Sequence, residues 1–292
     1  MTAPVLEVAS PRRARRSLVL RRILKNRSGA VGLVLTLLVL LVTVFAPLLA
    51  PYDPDVIVPG ASGLAPPSSS HWFGTDELGR DVLSRVLLGS RSSLQASVLA
   101  TLIAVAVAVP IGITAGYFRG PWDAFVMRVN DTVLAFPFIV LAVGMAAILG
   151  PSLLNAAIAI GVSQVPQLLR VTRGEALALR EEDFVSASLA DGAGPFSVMR
   201  RHVFPNLVNT LIVQATVMLP FAIVTESMLS FLGLGVQPPA ASWGVMLTTA
   251  QSYTANAPFL ALFPGLAIFV SALALNLLGD GLRDALDPKA NR

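Results

Sequence analysis

Long apolar segments without charge constrain this chain most strongly. Residues 30–50 contain no charged side chain, and a helix of that length crosses about 30 Å of hydrocarbon. Over the whole chain, 54% of the residues are hydrophobic and 13% are charged, whereas a soluble domain has about 25% charged residues. The sequence therefore predicts an all-α integral membrane protein.

The segment before the first apolar run is basic. Residues 1–28 contain seven arginines and one lysine, but only one acidic residue, Glu7. Because positive flanks stay in the cytoplasm, the N-terminus is predicted to be cytoplasmic. A cleaved signal peptide is the alternative, but its core usually has about 7–15 apolar residues. We therefore favour an uncleaved first span at residues 29–50.

Further apolar segments predict five more spans. These are residues 92–117, 124–149, 153–169, 207–234 and 258–278. Of the 21 lysines and arginines, only Arg80, Arg85 and Arg91 then lie in outer segments, and the other 18 lie inside or near the cytoplasmic ends of spans. This bias follows the positive-inside rule. It predicts six transmembrane helices with both termini in the cytoplasm.

These spans divide the chain into five parts. They are a basic cytoplasmic tail (1–28), the first span (29–50), an extracytoplasmic loop with an interfacial helix (51–91), the main membrane domain (92–281) and a cytoplasmic tail (282–292). Within the membrane domain, residues 174–205 form a polar cytoplasmic loop between spans four and five.

The polar stretch at residues 182–206, EDFVSASLADGAGPFSVMRRHVFPN, predicts a helix–turn–helix. Asp183 to Leu189 form the first short helix. Two glycines and a proline within residues 191–195 interrupt it. Phe196 to Phe204 form the second helix, which Pro205 is expected to end. A helix–turn–helix held between two spans could dock into another protein.

This stretch resembles the EAA loop of ABC-importer permeases. The family pattern is Glu-Ala-Ala, three residues, Gly, nine residues, then Ile-x-Leu-Pro. Ser186-Ala187-Ser188 occupies the triplet, Gly192 the glycine and Pro205 the proline, with His202 and Phe204 at the apolar positions. The spacing is kept, whereas the Glu, the second Ala, the Ile and the Leu are replaced.

The resemblance implies that this loop contacts an ATPase. The implied contact residues are Ser186, Ala187, Ser188, Asp191, Gly192, Phe196, Met199, Arg200, Arg201, Phe204 and Pro205. Gly192 is expected where a side chain would clash. Ala187 and Ser188 are small enough for close helix contact, and the large apolar side chains could anchor the loop by burial. The two arginines could pair with acidic residues of the ATPase.

A second motif, HWFGTDELGRDVLSR, lies at residues 71–85. It is interpreted either as a loop leading into an amphipathic interfacial helix or as a direct substrate contact, and we favour the loop. The apolar stripe of the helix would be Val82, Leu83, Val86 and Leu87. Asp76, Glu77, Arg80 and Asp81 could pair among themselves as a cap and ion-pair cluster.

This second motif resembles, nearly residue for residue, the second permease subunit of dipeptide, oligopeptide and nickel uptake systems. The residues that carry the resemblance are Phe73, Gly74, Thr75, Asp76, Gly79, Arg80 and Asp81. Residues 112–137 and 258–288 also resemble this branch. Together, these segments cover nearly all of the chain beyond residue 28.

The resemblance implies a permease subunit of a binding-protein-dependent ABC importer for peptides in a bacterial inner membrane. Its implied partners are a homologous second permease, two cytoplasmic ATPase subunits, an external substrate-binding protein and membrane lipid. ATP and Mg²⁺ would bind to the ATPases, so this chain would hold no cofactor and no catalytic residue. Nickel or another small solute is the alternative substrate within this class.

Several other chemistries are excluded by residue content. There is no cysteine, which excludes disulfides and thiolate sites. The two lysines, Lys25 and Lys289, do not follow glycine, so there is no P-loop. His71 and His202 fall on opposite sides of the predicted membrane and cannot share a metal. The basic residues follow the topology rather than indicating nucleic acid.

Glu226 is the only charged residue between Arg201 and Asp280. A carboxylate deep in a span is costly and should face the interior, be paired or be protonated. It could line the pathway and attract a peptide amino group or a cation. It could also be a buried brace with Ser227, Ser230 or a partner subunit, and we favour the brace.

Asp131 lies three residues after Arg128 and is predicted to pair with it. A proton-coupled secondary transporter with Asp131 and Glu226 as coupling carboxylates is the alternative from another class. Such carriers often contain inverted repeats, and no repeat is visible in this sequence. A receptor or assembly protein without transport is a third possibility.

Overall fold

The computed structural model describes residues 21–57 and 63–286. Most of the predicted basic tail, and residues 287–292, therefore lie outside the described part. Secondary structure in the described residues is helical, apart from one isolated antiparallel bridge between Thr75 and Asp81. The helices are α1 (Arg27–Leu49), α2 (Val82–Phe118), α3 (Gly120–Leu134), α4 (Phe138–Leu149), α5 (Leu153–Arg180), α6 (Asp183–Ala190), α7 (Pro195–Val198), α8 (Phe204–Phe231), α9 (Trp243–Gln251) and α10 (Phe259–Leu286), with a π-helical turn, Met199–Val203, between α7 and α8.

Four helical segments in the described residues are long and apolar enough to cross a membrane. They are α1, α2, the continuous helix Pro195–Phe231 and α10. The pair α3 and α4 is a fifth if it is counted as one span. The predicted fourth span corresponds to α5, which is 28 residues long but is absent from this set. The structure thus supports an all-helical protein. It contains four or five candidate spans in the described residues, whereas six were predicted.

No separate interfacial helix follows the first span, so that prediction is wrong. Its residues form the first turns of α2, which is continuous for 37 residues. Asp81 caps this helix, because its carboxylate accepts a hydrogen bond from the Ser84 backbone N–H at 2.8 Å. Val82 and Val86 are buried in an apolar cluster with Met246 and Leu260. Protein therefore covers Val82 and Val86, two of the four residues of the predicted apolar stripe, whereas Leu83 and Leu87 are half-buried.

The predicted third span is broken. Helices α3 and α4 meet at an angle of 89°, and Pro137 stands immediately before α4. Proline cannot donate a backbone hydrogen bond and restricts the residue before it. The break therefore falls where the sequence disfavours a continuous helix, and α3 begins at Gly120, four residues before the predicted start of the third span.

Ion pairs hold α3 against α5. Arg173 donates to Asp123 at 3.0 Å, and Arg170 donates to Asp131 at 2.8 Å. The predicted Arg128–Asp131 pair is therefore replaced by a pair between helices. A base placed N-terminal to an acid on one helix is the less favourable order, and Arg170 on the neighbouring helix offers Asp131 another partner.

Glycines allow α2 and α5 to approach closely. A Cβ added at Gly116 would lie 2.5 Å from the backbone oxygen of Arg173, and one at Gly161 would lie 2.7 Å from that of Ala100. Gly112 similarly faces Thr172. Small residues at helix contacts are typical of membrane bundles, where tight packing drives association. These contacts run along most of α5 and fix it beside α2.

Residues 235–257, which join the predicted fifth and sixth spans, contain a short helix, α9, that no sequence pattern predicted. Ser242 caps it by accepting a hydrogen bond from the Val245 backbone N–H at 3.2 Å. Trp243 is only 2% exposed, and its indole N–H donates to the backbone oxygen of Val86 at 3.0 Å. Helix α9 is therefore packed into the end of the bundle where α2 begins.

Candidate functional site: the loop between α5 and α8

The polar segment that resembled a docking loop lies at the C-terminal end of α2. Helix α5 extends to Arg180, so the docking loop comprises residues 181–203 rather than beginning at residue 174. Val185 on α6 is fully buried and belongs to an apolar cluster that includes Tyr117, Val198 and Val203. The loop is therefore fixed to the bundle by one side of α6 and by the helix that follows it.

Gly192 shapes the turn after α6. The N–H of Gly192 donates to the oxygen of Leu189, and the N–H of Ala193 donates to that of Ser188, both at 3.0 Å. This is the Schellman arrangement, which places a left-handed residue just beyond the helix, and Gly192 has φ +83°. The predicted turn at Gly192 is present, although an added Cβ meets no neighbouring atom within 4 Å. The backbone angle is what favours glycine here.

The second predicted short helix is not separate. Helix α7, the π-helical turn and α8 form one 37-residue helix, Pro195–Phe231. In the π turn, the N–H of Phe204 donates to the oxygen of Met199, five residues earlier. Pro205 therefore follows the turn and does not end the helix as predicted. The wider turn accommodates a residue that an ordinary α-helix would exclude.

The candidate contact residues divide between an outer and an inner face of the loop. Phe196 is 74% exposed and Phe204 is 44% exposed. Ser186, Ala187, Asp191, Arg200, Arg201 and Pro205 are also exposed, whereas Ser188 is half-buried. Ser188 Oγ lies 3.4 Å from His202 Nε2. Met199 is buried in the chain's own apolar cluster, so it is not available as an anchor for a partner.

Two further exposed apolar residues were missed. Phe184 is 40% exposed and Leu189 is 44% exposed, on the helix whose Val185 is fully buried. Apolar residues around more than one side of a short helix indicate contacts beyond the chain's own core. That sequence pattern could have identified Phe184 and Leu189 as contact residues. With Phe196, these residues give the loop three exposed apolar side chains.

The second motif forms a cluster of buried charges at the other end of α2. Asp76 accepts hydrogen bonds from Arg80 Nε at 2.7 Å and from the Arg80 backbone N–H at 2.9 Å. Arg85 Nε lies 3.6 Å from the same carboxylate, and Arg85 donates to the backbone oxygen of Pro54 at 2.7 Å. The predicted pairing among these charged residues is confirmed, with Arg85 as an added member.

Several other residues of this motif are also turned inward, although Trp72 and Leu78 are exposed. His71 Nδ1 lies 3.0 Å from Asp81 Oδ1, and the Phe73 ring stacks on Phe263 at 3.8 Å between ring centres. Thr75 is fully buried. Gly74 and Gly79 both have φ +78°, as the tight turns before α2 require. This arrangement stabilises a local fold and leaves little polar surface for a substrate.

Glu226 is fully buried on α8. Ser230 Oγ donates a hydrogen bond to one carboxylate oxygen of Glu226 at 2.7 Å, whereas the other oxygen and the Ser227 hydroxyl are buried without a hydrogen-bond partner in the described residues. Ser93 lies on α2 and accepts a hydrogen bond from the Trp243 backbone N–H at 3.3 Å. The Glu226–Ser230 hydrogen bond lies within α8, and the Ser93–Trp243 hydrogen bond joins α2 to α9.

In the part of the chain that the structure describes, no group of three or more histidine, cysteine or acidic residues could hold a metal ion. His71 belongs to the charge cluster and His202 to the π turn. The two histidines therefore lie at opposite ends of α2.

Comparison with known families gives two matches. Residues 108–292 match the family described as "Binding-protein-dependent transport system inner membrane component". Residues 15–67 match "N-terminal TM domain of oligopeptide transport permease C". The first match includes the docking loop, and the second ends just before the charge cluster.

Curated relatives are similar over most of the chain. The glutathione transport system permease protein GsiD of Escherichia coli O6:K15:H31 (strain 536) is 41% identical over 269 residues, covering 92% of this chain and 89% of that protein. The protein of the same name from Shigella dysenteriae serotype 1 is 42% identical over the same length.

A solved structure has a similar fold. An inward-facing form of the MetNI methionine ABC transporter contains a chain with a TM-score of 0.56 and 21% sequence identity. The match covers 70% of this chain and 96% of that one.

Proposed function

The chain belongs to the binding-protein-dependent ABC-importer permeases of the peptide branch, and from that membership we propose that it forms half of a membrane pathway for peptide uptake. A permease of this family is a non-catalytic subunit, and the ATPase is a separate chain. ATP and Mg²⁺ would bind to the ATPases, and this chain would bind no cofactor of its own.

The observation that carries the proposal is the outward apolar surface of the docking loop. Phe184, Leu189 and Phe196 are exposed on a segment that Val185 and Val198 fix to the bundle. Apolar side chains gathered on an anchored polar loop favour contact with another protein. A partner groove that buried Phe196 fully would gain about 1.5–3 kcal/mol.

The continuous helix Pro195–Phe231 suggests how this contact could move the membrane domain. A force applied at Phe196 would act on one end of a helix that continues through the bundle to Phe231. Closure of the ATPases would then tilt α8 and change access to the pathway. Arg200 and Arg201 are exposed and could pair with acidic residues of the ATPase.

The proposed assembly contains this chain, a homologous second permease, two cytoplasmic ATPases and an external binding protein, surrounded by lipid. We propose six spans, with both termini and the docking loop in the cytoplasm. Helix α5 is the span that hydropathy alone does not identify. Its 28 residues extend about 42 Å at 1.5 Å per residue, enough to cross a bilayer. Its polar side chains would face protein rather than lipid.

Peptide is the favoured substrate class. The relatives are named for transport of glutathione, which is a small peptide, and the N-terminal match is named for oligopeptide transport. Nickel or another small solute remains the alternative within the family. The described residues contain no cluster of metal-binding side chains that would favour nickel over peptide.

Co-purification tests the assembly. The chain would be purified in mild detergent from its host as wild type, as Ala187→Arg in the docking loop and as Ala255→Arg. Ala255 is a matched control, because it is also exposed but follows α9 at the opposite end. We expect both variants to retain the second permease, and only Ala187→Arg to lose the ATPases.

Two results would contradict this assignment: purification of the chain alone, or ATPases that remain bound to Ala187→Arg. Uptake that persists without ATP but requires a proton gradient would favour a carrier instead. The geometry gives that alternative little support, because Asp131 pairs with Arg170 and Glu226 is bonded to Ser230.

A further inference from the structure

A cavity of about 450 Å³ lies between α5, α8 and α10. Its wall carries four amide side chains, from Gln164, Gln167, Gln214 and Asn276, and the other lining residues are apolar. No charged side chain lines it. Four amides without a charge are unusual in an apolar bundle, because each amide is costly to remove from water without a hydrogen-bond partner.

Gln164 is the residue that demands an explanation. It is 4% exposed, and both its side-chain nitrogen and its side-chain oxygen are buried without a hydrogen-bond partner in the described residues. Buried side-chain polar groups are nearly always paired. An amide that lacks both partners at the wall of a cavity indicates an occupant that can accept one hydrogen bond and donate another.

The peptide group has this combination of donor and acceptor. Each non-proline residue offers one backbone N–H and one C=O, and a primary amide can bond to both. Amides on three helices could therefore hold an extended main chain whatever its side chains are. A wall without fixed charge would neither trap nor repel peptides of either sign.

We propose that this cavity binds the main chain of the transported peptide within the membrane pathway. The proposal rests on the proposed function, since it assumes that peptides pass through this subunit. It also separates the cavity from Glu226, which lies on α8 but accepts a hydrogen bond from Ser230 of its own helix and does not line the cavity. Recognition here would depend on the backbone of the peptide and not on its charge.

Uptake measurements test the role of Gln164. The complete assembly, with its ATPases and binding protein, would be placed in liposomes and supplied with dialanine, trialanine, pentaalanine or S-methylglutathione. The peptide with the highest ATP-driven uptake would serve as the probe. We expect Gln164→Leu, and the less buried Gln214→Leu, to lower its uptake about tenfold while ATPase stimulation by the binding protein persists.

Gln251→Leu is the matched control, because Gln251 is an exposed glutamine at the end of α9 and outside the cavity. The probe would also be compared with an analogue in which one peptide nitrogen is methylated, chosen for equal affinity for the binding protein. We expect wild type to prefer the unmethylated peptide and Gln164→Leu to lose this preference. A merely structural role for Gln164 would not alter the preference.

The absence of cysteine allows a direct test of occupancy. Val217 lines the cavity and is 49% exposed. In the assembly, Val217→Cys should react with a water-soluble maleimide, and the probe peptide should slow this reaction at least about fivefold. Adding Gln164→Leu should remove the protection.

The outcomes distinguish the two proposals. Failure of wild type to take up any of the peptides would overturn the peptide-import function and the cavity proposal with it. Normal wild-type uptake, with no change in Gln164→Leu and Gln214→Leu, would overturn the cavity proposal alone. So would a Val217→Cys thiol that never reacts, because the second permease would then cover the cavity.

Discussion

The motifs at the two ends of α2 place their functional side chains differently. Near its N-terminal end, Asp76 and Arg80 are 5% and 8% exposed and pair with each other. Near its C-terminal end, the docking loop leaves Phe196 74% exposed. Charges turned inward with their partners indicate a local fold, whereas aromatic residues turned outward on an anchored loop indicate a surface for a partner.

This difference separates two motifs that look alike in sequence. Each combines glycines, acidic residues and arginines beside a long helix, and each carries a family resemblance. Only the structure shows that one motif uses these residues to complete its own packing and the other to present a surface. The two ends should therefore respond differently to substitution.

The largest effect is expected at the charge cluster. Asp76→Ala would leave Arg80 and Arg85 buried without their shared carboxylate, and breaking a buried pair costs about 3–5 kcal/mol. We expect a steep loss of folded protein, measured by yield and by thermal unfolding in detergent. Asp53→Ala is the control, since Asp53 is exposed. A normally stable Asp76→Ala protein that lost uptake would instead indicate substrate contact.

The next largest effect is expected at the docking loop, where ATPase binding rather than stability should fall. Phe196→Ala should leave the unfolding temperature unchanged but weaken ATPase binding about 10–100-fold, because about 1.5–3 kcal/mol of burial is lost. Trp72→Ala is the matched control, as Trp72 is 70% exposed at the other end of α2. Equal losses of ATPase binding in both variants would refute the assignment of the loop.

A smaller effect is expected at the turn of the loop. Gly192→Ala would place a Cβ on a residue with φ +83°, at a cost of about 1–2 kcal/mol. We expect a modest fall in unfolding temperature and a few-fold weaker ATPase binding. Gly194→Ala provides the comparison, because Gly194 has φ −70° and open space around it. Similar behaviour of the two variants would mean that the turn geometry does not matter.

The smallest effect is expected at Glu226, which resembles the charge cluster in being buried and bonded. Glu226→Gln keeps an oxygen that can accept the Ser230 hydrogen bond, so stability should change by less than about 1 kcal/mol. ATP-driven uptake should continue at every pH where wild type is active. Complete loss of uptake in a stable protein would make Glu226 a transport residue instead of a brace.

The sequence predicts contacts between residues that are close along the chain. Asp81 as a helix cap and the Asp76–Arg80 pair follow from spacings of three and four residues, and both are present. The Trp243–Val86 hydrogen bond joins residues far apart in the chain, so no local pattern announces it. Such contacts explain why the interfacial helix and the outer loop were predicted incorrectly.

The position of the docking loop could be predicted from the sequence, but not which of its side chains are buried and which are exposed. The break at residues 191–195 follows from glycine and proline content, and helix α6 ends just before it. Met199 and Phe196 look equivalent in sequence, yet one is buried and the other exposed, because the face depends on how the helix rotates into the bundle. Likewise, local rules place a helix end at Pro205, and the π turn that avoids it depends on the surrounding packing.

The π turn also has a mechanical consequence, because it sets the angular phase between the two ends of one helix. An α-helix advances by about 100° per residue, so the extra residue accommodated within Met199–Val203 rotates everything beyond it. The turn thereby sets the angle about the helix axis between Phe196, which precedes it, and Gln214, which follows it. A single-residue deletion in this turn would leave the sequence on both sides unchanged. It would nevertheless rotate Phe196 relative to Gln214 about the helix axis.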